Sequence, residues 1–140
     1  MSVILGPEAL NAFIAQEFPQ VAASYRVERV APMQADVRLL AQDRHLRPGG
    51  TISGPSMFEL ADLAMYAVVL AMIGPVALAV TTNASIDFLR KPPAGRDLIG
   101  QARLLKLGKT LAVGDVMIVN EGTPEVLARA SLTYALPPRR

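Results

Sequence analysis

The sequence predicts an α+β fold in which an antiparallel sheet wraps around one long buried helix. Residues 54–73 form an almost uninterrupted apolar run of helical length, which ends at Gly74–Pro75. After Pro75 the pattern changes to an alternation of apolar and polar residues, which is typical of antiparallel strands. A chain of 140 residues can bury one core of this kind, so we expect a single domain over residues 1–140.

Composition limits the possible functions. Hydrophobic residues make up 51% of the chain and charged residues 19%, which indicates a folded protein. The sequence has no Cys, so disulfides, thiolate metal sites and a Cys nucleophile are excluded. The formal net charge is +2, and the basic residues form no stripe with interleaved aromatic rings, so no nucleic-acid partner is expected. The N-terminus shows no signal peptide pattern, and we expect a cytoplasmic protein.

The N-terminal part of the chain predicts one helix and two strands. Apolar residues recur at helical spacing over residues 7–18, and Pro19 is expected to end this helix. Residues 24–31 and 34–41 have strand character. Residues 43–50 contain Pro and two Gly residues and predict an irregular loop.

The long helix carries one polar stripe. Ser53 or Gly54 can cap its N-terminus, and Pro55 suits the first helical position. The polar side chains are spaced by three, three and four residues and therefore share one face: Ser56, Glu59, Asp62 and Tyr66. A carboxylate on so apolar a helix is costly to bury without partners. From the residues alone, Asp62 is interpreted equally well as a paired packing group or as a catalytic group.

Four strands are predicted after the helix. They cover residues 81–88, 98–107, 111–120 and 126–136, with turn residues between them. Consecutive strands with short turns indicate an antiparallel meander. In the first strand, strict alternation places Thr81 on the same face as the other odd-numbered residues.

Several other interpretations of the central stretch fit poorly. Residues 60–80 approach the length of a membrane span, but Gly74–Pro75 interrupts them and no basic cluster flanks them, so no membrane span is expected. Gly49 and Gly54 have the spacing of a phosphate-binding loop, but the Lys of that motif is absent. His45 is the only His and is interpreted as an ordinary loop residue, so neither a metal site nor any other cofactor is expected.

Three segments together resemble a known family. They are SGPSMFELADLAMYA (53–67), TTNASIDFLRKPPAG (81–95) and ARLLKLGKTLAVGDVMIVNEG (102–122). In this order and spacing they resemble the hotdog-fold thioesterases, specifically the PaaI-like acyl-CoA thioesterase group. The resemblance extends from about Gly49 to the C-terminus. It implies a hotdog fold and hydrolysis of a small or medium acyl-CoA thioester, with acyl-CoA as the partner molecule.

The resemblance also implies two catalytic groups. Asp62 matches the family's catalytic carboxylate, and Gly54 matches the glycine whose backbone N–H polarises the thioester carbonyl. The two residues are eight positions apart on one helix, which corresponds to about 12 Å. One helix therefore does not easily bring both groups to one thioester. In the family the two groups come from different subunits, which implies a homodimer with a composite site, commonly paired again into a homotetramer.

Further positions match the family less specifically. Thr81 falls where relatives place a hydroxyl beside the carboxylate. Arg90, Lys91 and Lys109 fall in turns that contact the phosphates or the pantetheine arm of coenzyme A. For each of these cations, an ordinary solvated surface charge is an equally good interpretation.

The loop before the helix departs from the family pattern. Ser53 stands where the family has His, Pro55 replaces its second Gly, and Arg47 replaces an Asn or Gln. We therefore count Ser53 and Arg47 among the substrate-binding candidates. An ion pair between Arg47 and Asp62 would favour binding over base chemistry. The alternative function is a non-hydrolytic acyl-CoA binding or sensing protein on the same fold.

Overall fold

A computed structural model describes residues 2–138. Its regular elements, in chain order, are α1 (Pro7–Glu17), α2 (Pro19–Ala22), β1 (Tyr25–Ala31), β2 (Gln34–Leu39), α3 (Gly54–Ile73), β3 (Val80–Phe88), β4 (Leu98–Leu107), β5 (Leu111–Asn120) and β6 (Val126–Ala135). The α+β class and the long central helix are as predicted. Pro19 ends α1 as expected, but it also begins the short helix α2.

The six strands form one antiparallel sheet in the order β1-β2-β4-β5-β6-β3. Strands β4, β5 and β6 form the expected meander. The predicted place of β3 in that meander is wrong, because β3 pairs with β6 at the far edge of the sheet. Residues 89–97 connect β3 to β4 and contain two adjacent prolines. This segment is too long for a tight hairpin turn and crosses to the other side of β5 and β6.

The sheet curves around α3, which supplies the centre of the core. Fourteen of the twenty residues of this helix are buried, and it packs chiefly against β2, β4 and β5. Gly100 on β4 lets the helix approach closely, since a side chain there would meet Leu60 and Ala64. The helix is long and apolar enough to cross a bilayer, and its burial beneath the sheet accounts for that composition.

The N-terminal helix is fastened to the edge of the sheet by one side chain. The amide of Asn11 accepts a hydrogen bond from the backbone N–H of Val27 (2.8 Å) and donates to the Val27 carbonyl (2.9 Å). This double contact lies where the pairing of β1 with β2 shifts register after Val27. It fixes α1 so that its C-terminal end lies beside α3.

Candidate active site

Asp62 lies in the third turn of α3, on the polar stripe of that helix. The Thr81 hydroxyl donates to its Oδ1 atom at 2.5 Å, and the Tyr134 hydroxyl donates to the same atom at 2.8 Å. The Tyr134 oxygen also lies 3.0 Å from the backbone carbonyl oxygen of Asp62. These bonds explain how a half-buried carboxylate is accommodated on so apolar a helix.

A bulge in β3 turns Thr81 toward the carboxylate. Thr81 pairs with Tyr134 and Asn83 pairs with Thr133, so Thr82 is an extra residue without a partner of its own. Strict alternation predicts Thr81 on the face of Asn83, and that prediction is wrong because the bulge reverses the phase of the strand. Thr81 instead shares the inner, partly buried face with Ala84 and Ile86.

Tyr134 is held firmly in β6, between β5 and β3. Only 3% of its surface is exposed, and it lies directly opposite Ala112 on one side and Thr81 on the other. Burial raises the pKa of its hydroxyl well above the usual range, and the nearby Asp62 carboxylate raises it further. The hydroxyl is therefore a proton donor at every ordinary pH.

A cavity of about 390 Å³ adjoins the carboxylate; we call it the Asp62 cavity. It is lined by Glu17, Phe18, Val21, Glu59, Asp62, Leu63, Tyr66, Ala77, Ala79, Val80, Thr81 and Tyr134. The rings of Phe18 and Tyr66 meet edge to face with centroids 6.4 Å apart. The Tyr66 hydroxyl donates to the Ala77 carbonyl (3.1 Å), which fixes the loop between α3 and β3. The cavity thus combines the carboxylates of Glu17, Glu59 and Asp62 with an apolar and aromatic wall.

Gly54 is the first residue of α3, about two turns before Asp62. Ser53 caps the helix: its hydroxyl oxygen accepts from the Ser56 N–H (3.3 Å) and its hydroxyl donates to the Ser56 hydroxyl (3.0 Å). Pro55 has no N–H, and the Gly54 N–H has no partner among residues 2–138. One free N–H therefore remains at the positive end of the helix dipole, which suits an oxyanion.

A second cavity, of about 500 Å³, lies beside this N–H; we call it the Gly54 cavity. Arg47, Arg90 and Lys91 line it together with Gly54. Arg90 also pairs with Glu125 (3.2 Å) and donates to a backbone carbonyl of β6 (2.8 Å). Three cations therefore gather at the cavity that holds the free N–H.

The remaining candidates are placed elsewhere. Lys109 lies in the turn between β4 and β5 and lines neither of these two cavities. Arg47 and Asp62 form no ion pair within residues 2–138, because they line different cavities. His45 is not an ordinary loop residue. It is 4% exposed in a short 3₁₀ turn, and its Nδ1 accepts from the Gln42 N–H (3.0 Å).

Sequence reasoning missed most of the residues that the fold brings to the Asp62 cavity, among them Tyr134 and Phe18. Tyr134 is 72 positions away from Asp62, and only the pairing of β3 with β6 places it beside Thr81. Phe18 comes from the junction of α1 and α2. The signal that could have found Tyr134 is the register of β3 against β6, which a single sequence does not display.

Comparison with known proteins places the fold. The sequence model of the thioesterase superfamily matches residues 49–127. Human acyl-coenzyme A thioesterase 13 is 26% identical over 123 residues, which cover 87% of this chain and 86% of the relative. A proposed thioesterase from Silicibacter sp. TM1040 has a crystal structure with a TM-score of 0.92 and 54% identity, covering 99% of this chain and 96% of that one.

Two further solved structures are similar. A mutant of the phenylacetic acid degradation protein PaaI from Thermus thermophilus has a TM-score of 0.73 and 28% identity, covering 85% of this chain and 99% of that one. A protein from Streptococcus mutans, solved bound to acetyl CoA, has a TM-score of 0.71 and 25% identity, covering 83% of this chain and 90% of that one.

Proposed function

This chain belongs to the thioesterase superfamily, and we propose that it hydrolyses acyl-coenzyme A thioesters at a site shared between two subunits. The matches confirm the resemblance to the PaaI-like group and the hotdog fold. The chain is accordingly a thioester hydrolase. The proposal concerns its substrate and the way in which the catalytic groups come together.

The coenzyme A part of the proposal is supported by relatives and by charge. One relative is named as an acyl-coenzyme A thioesterase and one similar structure holds acetyl CoA. In this chain, Arg47, Arg90 and Lys91 line the Gly54 cavity. Guanidinium and ammonium groups suit the phosphates of coenzyme A. The acyl group would then occupy the Asp62 cavity, along its apolar and aromatic wall, and the size of this cavity suits a small or medium chain.

The separation of Gly54 and Asp62 within one chain is the observation that supports a site shared between two subunits. The two residues line two different cavities of one chain. The edge strand β3 runs between them. Thr81, near its start, bonds Asp62, and the Phe88 ring at its end lies beside Gly54, 3.4 Å from where a Cβ at that position would be.

Antiparallel pairing of β3 with its copy in a second subunit would bring the two halves together. The free edge of β3 offers unpaired backbone groups for such a contact. Val80, Phe88 and Leu89 are each about half exposed along and beside this edge. A twofold axis would place the Thr81 end of one strand beside the Phe88 end of the other, and so one Asp62 beside the partner's free helix N-terminus. Pairs of such dimers would form the expected tetramer.

The chemistry follows from these groups. The Gly54 N–H would stabilise the oxyanion that develops on the thioester oxygen. Asp62 would either take a proton from water as the water oxygen attacks the carbonyl carbon, or attack that carbon itself to give a mixed anhydride that water then cleaves. In both routes the C–S bond breaks, and the sulfur leaves and takes up a proton as the free thiol of coenzyme A.

Complementation between two inactive variants tests the proposal. Asp62→Asn and Gly54→Pro are each expected to lose nearly all release of free thiol from a panel of acyl-CoA substrates. When the two chains are coexpressed in equal amounts, about half of the dimers are mixed, and one of the two sites in each mixed dimer keeps both groups. About a quarter of wild-type activity should therefore return. A mixed preparation as inactive as its parents would contradict the shared site, and a wild-type chain without thiol release would contradict acyl-CoA hydrolysis.

A further inference from the structure

We propose that Tyr134 is a positioning residue for the Asp62 carboxylate, which it holds by one oxygen so that the other oxygen is left for the reaction. The inference rests on the proposed function, because it assigns a task within that reaction. Tyr134 lies outside residues 49–127, the part of the chain that the superfamily model matches.

The hydrogen bonds at Asp62 are distributed unequally between its two oxygens. Oδ1 accepts from both the Tyr134 hydroxyl (2.8 Å) and the Thr81 hydroxyl (2.5 Å). No hydrogen bond from residues 2–138 reaches Oδ2. Two donors on one oxygen fix the rotation of the carboxylate about its Cβ–Cγ bond, and they leave Oδ2 with its lone pairs available.

Tyr134 can do this because the sheet fixes its position. It lies on β6, a strand paired on both sides, and it is almost fully buried, with its ring beside the ring of Tyr66. Thr81 is its direct partner across the β3–β6 pair, so a single register sets both donors. A donor on a rigid strand holds a reacting group more firmly than a donor on a loop.

The geometry also separates this role from simple stabilisation of the helix. Tyr25 makes a contact of the same kind one turn earlier on α3, where its buried hydroxyl donates to Oε1 of the exposed Glu59 at 2.5 Å. Both tyrosines therefore tie the sheet to a carboxylate of α3. Only the bond of Tyr134 reaches Asp62, the carboxylate of the proposed reaction.

The test compares Tyr134→Phe with Tyr25→Phe, since each variant loses one buried hydroxyl and keeps its ring. We expect Tyr134→Phe to lower kcat by about tenfold to a hundredfold, the value of a hydrogen bond to a charged group, with KM changed by less than about threefold. Tyr25→Phe should keep kcat within about threefold of the wild type. Thermal stability and oligomeric state are measured for both variants. If Tyr134→Phe folds poorly, Tyr134→Met supplies a second side chain of similar length without a donor.

Each outcome decides the matter. A fall in kcat confined to the Tyr134 variants, with KM retained and thermal stability close to that of Tyr25→Phe, supports the inference. Equal kcat in Tyr134→Phe and Tyr25→Phe overturns it while leaving the proposed function intact, provided that the wild type is active and Asp62→Asn is inactive. A wild type that releases no thiol from acyl-CoA overturns the proposed function and this inference together.

Discussion

Replacing Gly54 with Pro removes a single hydrogen-bond donor from the start of α3, and the crowding of its Cβ against Pro55 is shared by Gly54→Ala. Gly54 is the first residue of α3, where the backbone torsion of proline is already the helical one. Ser53 is extended, with φ −74° and ψ 157°, which suits a residue before proline. A Cβ at position 54 would lie 3.4 Å from the Phe88 ring, an ordinary van der Waals contact. The N–H that disappears has no partner among residues 2–138, so the fold loses no hydrogen bond there.

The expected effect is therefore catalytic. Loss of one oxyanion donor lowers kcat by about 10²–10³, or roughly 3–4 kcal/mol of transition-state stabilisation. Gly54→Ala is the matched control, because it adds the same Cβ beside Phe88 and keeps the N–H; its kcat should stay within about fivefold of the wild type. Steady-state release of free thiol gives the rates, and thermal unfolding checks the fold. Equal rates in Gly54→Pro and Gly54→Ala, both folded, would refute the oxyanion role of this N–H.

Two further predictions concern stability. Burial lowers the pKa of His45 below its ordinary value of 6.5, and the nearby Arg44 lowers it further, so the folded state holds a neutral ring that the unfolded chain protonates. The free energy of unfolding should therefore fall as pH drops below about 6.5. His45→Asn should flatten this pH dependence, measured by urea titrations from about pH 7.5 to 5.5. An equally steep fall in His45→Asn would contradict the role of His45. A Cβ at Gly114 would lie 2.7 Å from a backbone oxygen of β4 and 2.8 Å from Met65 Sδ, so Gly114→Ala should cost about 2–3 kcal/mol. A Cβ at Gly6 would meet no atom within 4 Å, so Gly6→Ala should change the free energy of unfolding by less than about 1 kcal/mol. Equal urea midpoints for Gly114→Ala and Gly6→Ala would contradict the clash expected at Gly114.

The helix could be predicted closely because its signals are local. Ser53, Pro55 and Gly74 mark the ends of α3, and each acts through atoms within a few residues. The meander of β4, β5 and β6 could be predicted for the same reason, because strands joined by short turns pair as antiparallel neighbours. The assignment of Asp62 and Gly54 came from resemblance to a family, and their catalytic roles stay predictions, as do the roles of the other site residues.

The partner of β3 could not be predicted, because it depends on contacts far apart in the sequence. The residues of β3 alternate as well beside β4 as beside β6, so the pattern does not choose between the two edges. No sequence pattern predicts the bulge at Thr82, yet this bulge determines which way Thr81 points. The burial of His45 depends on how its loop folds beside the start of α3, which residue type alone does not reveal.

The polar stripe of α3 shows what distinguishes Asp62 from its neighbours. Ser56 bonds the capping Ser53, Glu59 receives the hydroxyl of Tyr25, and Tyr66 donates to a loop carbonyl. Each of these contacts ties α3 to a neighbouring part of the chain. Asp62 also has partners, so the cost of placing a carboxylate here is met, but both bonds go to Oδ1 and a cavity lies alongside. Glu59 lines the same cavity and is bonded at Oε1 alone, but it is exposed and has one hydroxyl donor. Asp62 is half-buried, and two hydroxyls from paired strands fix its orientation and leave Oδ2 unbonded, as a reacting carboxylate requires.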